Sequence, residues 1–180
     1  MSHVEEIARA VRTPTPDAID EAGRVVGKVL PPTPVSVPDS DAGDPALKLE
    51  GLQPTGSFKV RGALAALAAL DSGAEVVTAS AGNHGLGVAY AARALGRRAT
   101  VVTSTTASPA KVTALRRFGV DLVQVGTSYD EAEAHALELA GRGAYYVSAY
   151  NDPDVIAGQA TVGVELAEQL GGPLTVVCGV

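Results

Sequence analysis

Gln53-Pro54-Thr55-Gly56-Ser57-Phe58-Lys59-Val60-Arg61-Gly62-Ala63 is the stretch around which this chain is arranged. Pro54, Thr55 and Gly56 form a turn that is expected to end an apolar strand, and a helix is expected to open at Ser57. Val60, Leu64 and Leu67 then follow a helical period and should face a core. Lys59 falls in the first turn of that helix, where the dipole is positive and disfavours another positive charge. Gly62 and Ala63, one turn on, leave a shallow face against which a flat molecule could lie. An amine held back from charging is a candidate nucleophile toward carbonyl compounds. A lone helix lysine is ordinarily a solvated surface residue, so the rest of the chain has to decide.

Working outward, a rhythm sets in from Ala46. Apolar strands are expected near 46–50, 75–79, 98–103, 121–125, 144–148 and 173–178. Helices are expected near 57–71, 84–95, 109–118, 129–140 and 153–170. Ser108-Pro109 and Asp152-Pro153 each pair a cap with proline at the first helical position, and Ser128 with Glu131 reads as a capping box. Ahead of this region, residues 3–12 suit a short helix. A second helix runs from Thr15, as N-cap, to about Leu30, with Ile19, Ala22, Val26 and Val29 inward. Pro31-Pro32-Thr33-Pro34 stops it, and the stretch to Asp44 reads as an extended loop. Strand–helix alternation with short loops predicts an α/β fold: a mainly parallel, open sheet with helices on both faces. Ligands of such sheets bind at the carboxyl ends of the strands, where loops 53–57 and 80–84 are expected.

The second of these loops, Ser80-Ala81-Gly82-Asn83-His84-Gly85-Leu86-Gly87, follows Val76-Val77-Thr78 and opens a helix. Small residues there let backbone N–H groups converge on an anion. The dinucleotide fingerprint needs G-x-G-x-x-G with an acid about 20 residues on. This loop instead has the order G-x-x-G-x-G, and residues 101–107 carry no acid. The G-K-[ST] of a phosphate-binding loop is absent too, so nicotinamide and nucleoside triphosphate chemistry are set aside.

Composition narrows the class further. The 180 residues are 46% apolar and 19% charged, with a net charge of -6, which describes a globular chain without a nucleic-acid footprint. Cys178 is the only cysteine, so no internal disulfide forms, and it reads as inert in an apolar strand. The acidic start Met1-Ser2-His3-Val4-Glu5-Glu6 is unlike a signal peptide, and the Ala-rich segments are too broken to span a bilayer. A cytoplasmic protein without a membrane partner is expected. His3, His84 and His135 are scattered and give no metal spacing. His84 could touch an anionic ligand or cap its helix, and His135 reads as a surface residue beside Glu131. Tyr145, Tyr146 and Tyr150 read as strand and loop packing.

Taken together, Lys48-Leu49-Glu50, the stretch from Gln53 to Ala63, and Ser80 to His84 resemble the signature of pyridoxal-phosphate enzymes of the second fold type, which are tryptophan synthase beta-like. Within that group the chain is most similar to the threonine/serine dehydratases. The resemblance implies that Lys59 carries pyridoxal 5'-phosphate as a Schiff base and removes the α-proton of the substrate. It implies that Phe58 lies near the cofactor ring, and that Asn83 hydrogen-bonds the phenolic oxygen. Ser80, Ala81, Gly82, Asn83 and His84 would hold the substrate carboxylate. The implied reaction is dehydration and deamination of L-threonine or L-serine to a 2-oxo acid and ammonia. Family racemases have a serine where this chain has Ala81, which favours elimination over racemisation. Leu86 departs from the glutamine of many dehydratases.

The resemblance also implies a two-lobed plan. Residues 1–46 would belong to the large domain, 47–152 would form the small domain, and 153–180 would begin the return to the large one. It runs from about Pro34 to Val180 and covers only the N-terminal part of a family member. Relatives continue past this point into a glycine run that grips the cofactor phosphate. A homodimer or homo-oligomer is implied for a complete protein. Two other readings stay open. One is a sibling enzyme of cysteine synthase, threonine synthase or diaminopropionate ammonia-lyase type. The other is a catalytically incomplete, non-enzymatic fragment.

Overall fold

The computed structural model describes residues 11–39 and 44–177. Helix α1 (Pro16–Gly27) starts at the cap expected for it: Thr15 Oγ1 accepts from the Ala18 amide at 3.2 Å, with proline at the first position. Its Ala22 and Val26 are buried, and Leu30 beyond it is buried too. The loop that follows contains a two-residue strand, β1 (Val35–Ser36), which pairs antiparallel with β2 (Leu47–Lys48). A single 3-10 turn (Glu50–Leu52) leads to α2 (Lys59–Ala69).

The remaining elements alternate as expected: β3 (Val76–Ala79), α3 (Asn83–Ala94), β4 (Ala99–Thr103), α4 (Pro109–Arg116), β5 (Asp121–Gln124), α5 (Tyr129–Ala140), β6 (Tyr145–Tyr146) and α6 (Pro153–Leu170). The four strands β5-β4-β3-β6 form one parallel sheet, with Val76 level with both Ala99 and Tyr145. The central β3 is buried at every position, as a parallel strand covered on both faces should be. Val77, Ala79 and Val102 point to one face, against Ala132 and Ala136 of α5. Val76 points to the other, where α2 and α3 supply Val60, Leu64, Val88 and Ala91. Ala89 and Leu115 cover Val101 on the same side.

Four expectations are corrected. Helix α2 begins at Lys59 rather than Ser57, because residues 53–58 are taken up by turns. The strand expected over 46–50 does not join the parallel sheet: only Leu47 and Lys48 pair, and with β1. The small face at Gly62 and Ala63 does not receive a flat ligand, because α6 lies on it. A Cβ at Gly158 would come within 2.6 Å of the Arg61 carbonyl oxygen and of Gly62 Cα. Pro173–Val177 forms no strand, and Val177 is 93% exposed. Cys178, His3 and most of the helix expected over 3–12 lie outside the described residues, and residues 11 and 12 are not helical.

Buried small residues set the spacing of α2, α3 and α6, and caps set where the helices start. Asp152 caps α6: Oδ1 accepts from the amides of Asp154 at 2.9 Å and Val155 at 3.1 Å, and Oδ2 accepts from the Tyr145 hydroxyl at 3.2 Å. Asp152→Ala should lower stability by about 1–2 kcal/mol, the upper range for a lost N-cap, because this one is buried. Urea unfolding with an unchanged slope checks it. Among the described residues no helix is long and apolar enough to cross a membrane.

Candidate active site

Lys59 is the first residue of α2, and no acidic side chain occupies that first turn. Its Nζ donates to the Ala149 carbonyl at 3.3 Å and lies 5.3 Å from the centre of the Phe58 ring and 5.6 Å from that of Tyr150. Partial burial holds the amine below the usual lysine range. The two ring faces work the other way, since each attracts a cation. The amine therefore sits in a half-buried seat made of one carbonyl and two aromatic rings.

The helix that the second glycine-rich loop opens packs on the start of α2. Helix α3 crosses the start of α2 so closely that a Cβ on Gly87 would lie 3.0 Å from the Lys59 carbonyl oxygen and 3.1 Å from the Val60 nitrogen. The loop at residues 80–82, at the carboxyl end of β3, leads directly into the helix that makes this contact. Inside it, Ser80 Oγ accepts from the Gly82 amide at 3.1 Å, while Ala81 and Gly82 are half-buried. Asn83 is exposed at the first position of α3, with its side chain available to a ligand, and Phe58 is 39% exposed. His84 does neither of the things expected of it. It is buried, and its Nε2 lies 3.1 Å from the Val147 carbonyl oxygen. Burial first, and then the charge of Lys59, push His84 down to about 4, against the opposing pull of that carbonyl. It is neutral at pH 7.

Loop 53–57 does not follow a strand of the main sheet, so the carboxyl-end rule places only the 80–84 loop correctly. That rule also points to the turn between β6 and α6, which the sequence reading passed over. Tyr150 is not packing: it is 67% exposed and covers Lys59. The Asp152-Pro153 cap marked the end of that strand-to-helix turn and could have drawn attention to it. Arg61 was missed as well. Its charge in the middle of an apolar helix was the available signal. Its side chain is fully buried, and all five N–H groups are taken by Glu50, Thr161 and Glu165. His135 lies 3.5 Å from Glu138, not against Glu131, which is engaged in the Ser128 capping box.

The donor set suits an aromatic aldehyde that carries a phenolic oxygen and an anionic group. An amine faces two ring planes, Asn83 is exposed at the start of α3, and the N-terminus of that helix favours negative charge. Thr55 Oγ1, Ser57 Oγ and His84 Nδ1 are buried without partners in the same two motifs. No trio of His, Cys, Asp and Glu among the described residues could hold a metal. Against known families, residues 31–180 match the model described as pyridoxal-phosphate dependent enzyme.

The chain belongs to that family.

Among similar proteins, L-threonine ammonia-lyase of Thermotoga maritima is 41% identical over 164 residues, which cover 87% of this chain and 41% of the relative. The solved processed form of threonine deaminase isoform 2 from Solanum lycopersicum superposes with a TM-score of 0.79 at 34% identity, over 90% of this chain and 49% of that one. Maize serine racemase superposes with a TM-score of 0.82 at 32% identity, over 88% of this chain and 51% of that one. These neighbours share the second fold type of pyridoxal-phosphate enzymes, and this chain spans about half the length of the solved ones.

Proposed function

We propose that this site serves the pyridoxal-phosphate-dependent β-elimination of L-threonine or L-serine, giving a 2-oxo acid and ammonia. The observation that carries the reading is the half-buried seat of Lys59 together with the packing of α3, the helix opened by the 80–84 loop, on the Lys59 backbone at Gly87. Lys59 is the residue that would hold the cofactor covalently, with Phe58 beside the ring and the Asn83 amide donating to the phenolic oxygen. When bound, the cofactor supplies an electron sink for the charge that develops at the α-carbon. The amine of Lys59 would accept the α-proton of the substrate. Ser80 to Asn83, at the N-terminus of α3, would orient the carboxylate so that the bond to the departing hydroxyl is aligned for loss as water, while His84, buried on the Val147 carbonyl, does not reach it.

Ala81 favours elimination over racemisation. It has no hydroxyl with which to exchange a proton on the far side of the substrate, although three of the similar solved structures are described as racemases, one of aspartate and two of serine. The assignment of residues 47–152 to a small domain, with 1–46 and 153–180 in a larger one, belongs to the same reading. So do a homo-oligomeric whole protein and a cytoplasmic setting.

The test is borohydride reduction of the purified chain mixed with pyridoxal phosphate, followed by peptide mass mapping. Label should concentrate on Lys59 and vanish in Lys59→Ala. Equal labelling of Lys28, Lys48 and Lys111 would overturn the assignment. Turnover of threonine and serine, set against O-acetylserine, O-phosphohomoserine and diaminopropionate, distinguishes a dehydratase from its sibling lyases and synthases.

A further inference from the structure

Val147 lies just beyond β6, and its amide extends the ladder by donating to the Val77 carbonyl at 2.9 Å. Its own carbonyl oxygen accepts two side-chain hydrogen bonds: from Thr78 Oγ1 at 2.8 Å and from His84 Nε2 at 3.1 Å. Both donors are buried, one on β3 and the other in the first turn of α3. A carbonyl offers two lone pairs, and here both are used by side chains rather than by the sheet.

From this double anchor the chain turns sharply. Ser148 Oγ accepts from the amides of Tyr150 at 3.3 Å and Asn151 at 3.2 Å, and Asp152 then caps α6. The turn so held presents the Ala149 carbonyl and the Tyr150 ring to Lys59. Its far end is fixed by a helix cap, a common device. Its near end is fixed by Thr78 and by a histidine that belongs to the glycine-rich loop.

We propose that His84 is a positioning residue: as a neutral imidazole protonated at Nε2 it clamps the Val147 carbonyl, jointly with Thr78, and so fixes the turn that seats the Lys59 amine. A carbonyl can only accept, so the ring proton must be on Nε2. Nδ1 is then a bare acceptor, in keeping with its burial without a partner. The groups that face Lys59 are the Ala149 carbonyl, the rings of Phe58 and Tyr150, and the neutral His84. Burial is what depresses the amine. Loosening the turn should therefore expose the amine and make it an ordinary lysine.

The inference rests on the reading of Lys59 as the reactive amine, and the experiment separates the two. The chain is labelled with carbon-13 at lysine Cε, and its four lysines, Lys28, Lys48, Lys59 and Lys111, are titrated by NMR. In the wild type Lys59 should lose its proton below the usual lysine range. His84→Leu and Thr78→Val should each shift the Lys59 ionisation constant toward the usual lysine range by about fivefold, the ratio expected for one ordinary hydrogen bond. His84→Gln, which keeps an N–H at similar reach, should stay within about twofold of the wild type. Nitrogen-15 spectra should show the Nε2–H tautomer of His84 from about pH 5 to 8.

A Lys59 resonance unmoved in folded His84→Leu and Thr78→Val overturns the proposal, as does an Nδ1–H tautomer. If His84→Leu fails to fold, Thr78→Val and the tautomer decide. If wild-type Lys59 titrates within the usual lysine range, it is the reading of Lys59 as a poised amine that falls.

Discussion

Replacing Arg61 with alanine should lower the unfolding free energy by about 3–5 kcal/mol, the cost of stripping the partner from a buried ion pair. The Arg61 guanidinium is fully buried and forks onto two carboxylates. Nε and Nη2 reach Glu50 at 2.8 Å each, while Nη1 and Nη2 reach Glu165 at 2.6 and 2.9 Å. Lys48 completes the cluster through Glu165 at 2.6 Å, Gln169 at 2.8 Å and the Thr33 carbonyl at 2.7 Å. Two cations balance two anions, and the cluster joins the N-terminal segment, α2 and α6. In the variant Glu165 keeps Lys48, so the penalty falls mainly on Glu50, left with Thr33 and Gln53. Chemical unfolding at pH 7 gives the size of the effect.

The same cluster sets the direction of the acid response. Burial alone would raise Glu50 and Glu165. Hydrogen bonds from Arg61, with Thr33 on Glu50 and Lys48 on Glu165, outweigh it and hold both carboxyls below 4.5. A depressed carboxyl contributes stability that is present above its unfolded value and is lost as the pH falls through the folded one. The wild type should therefore weaken on acidification below about pH 4.5, the ordinary glutamate range. In Arg61→Ala, burial is no longer outweighed at Glu50, and protonation relieves it. The gap between the two proteins should narrow as the pH falls, and a gap that widens would contradict this account.

Gly158→Ala should cost about 1–3 kcal/mol, the range for forcing extra volume into a packed interior. The added Cβ would meet the Arg61 carbonyl oxygen and Gly62 Cα at 2.6 Å, and Ala65 Cβ at 2.9 Å. Two of these three atoms are backbone, so no side chain can rotate away, and α6 has to move off α2. That movement would also draw Glu165 away from Arg61. The double variant with Arg61→Ala should consequently fall short of the sum of the two single effects, because they share one structural element. Thermal unfolding of the four proteins in the cycle tests this. Strict additivity would separate the helix contact from the ion cluster.

Much of the fold could be read from local signals, because helix caps and periodicity act within a few residues. Thr15, Ser108, Ser128 and Asp152 cap the helices that their positions foretold, each with a side-chain bond to a nearby amide. The strands of the parallel sheet fall where short apolar runs alternate with those helices. The site was legible in part, since both motifs appear as small-residue runs opening a helix. Misreadings occurred where a partner comes from far away in the chain. Leu47 and Lys48 look like the first strand of the sheet, yet they pair with Val35 and Ser36. Gly62 looks like an open face, yet Gly158 closes it.

Sequence alone was thus enough to establish the layered α/β plan, the helix starts and the pairing of a lysine motif with a glycine-rich loop. Tertiary structure alone decided what surrounds that lysine: a carbonyl 90 residues along the chain, a ring one residue further, and a histidine facing inward rather than toward a ligand. It also decided that Arg61 is buried and that two distant glutamates neutralise it. The reason is physical. Caps and periodic patterns are satisfied by neighbours in the chain, whereas burial and ionisation depend on atoms that only folding brings together.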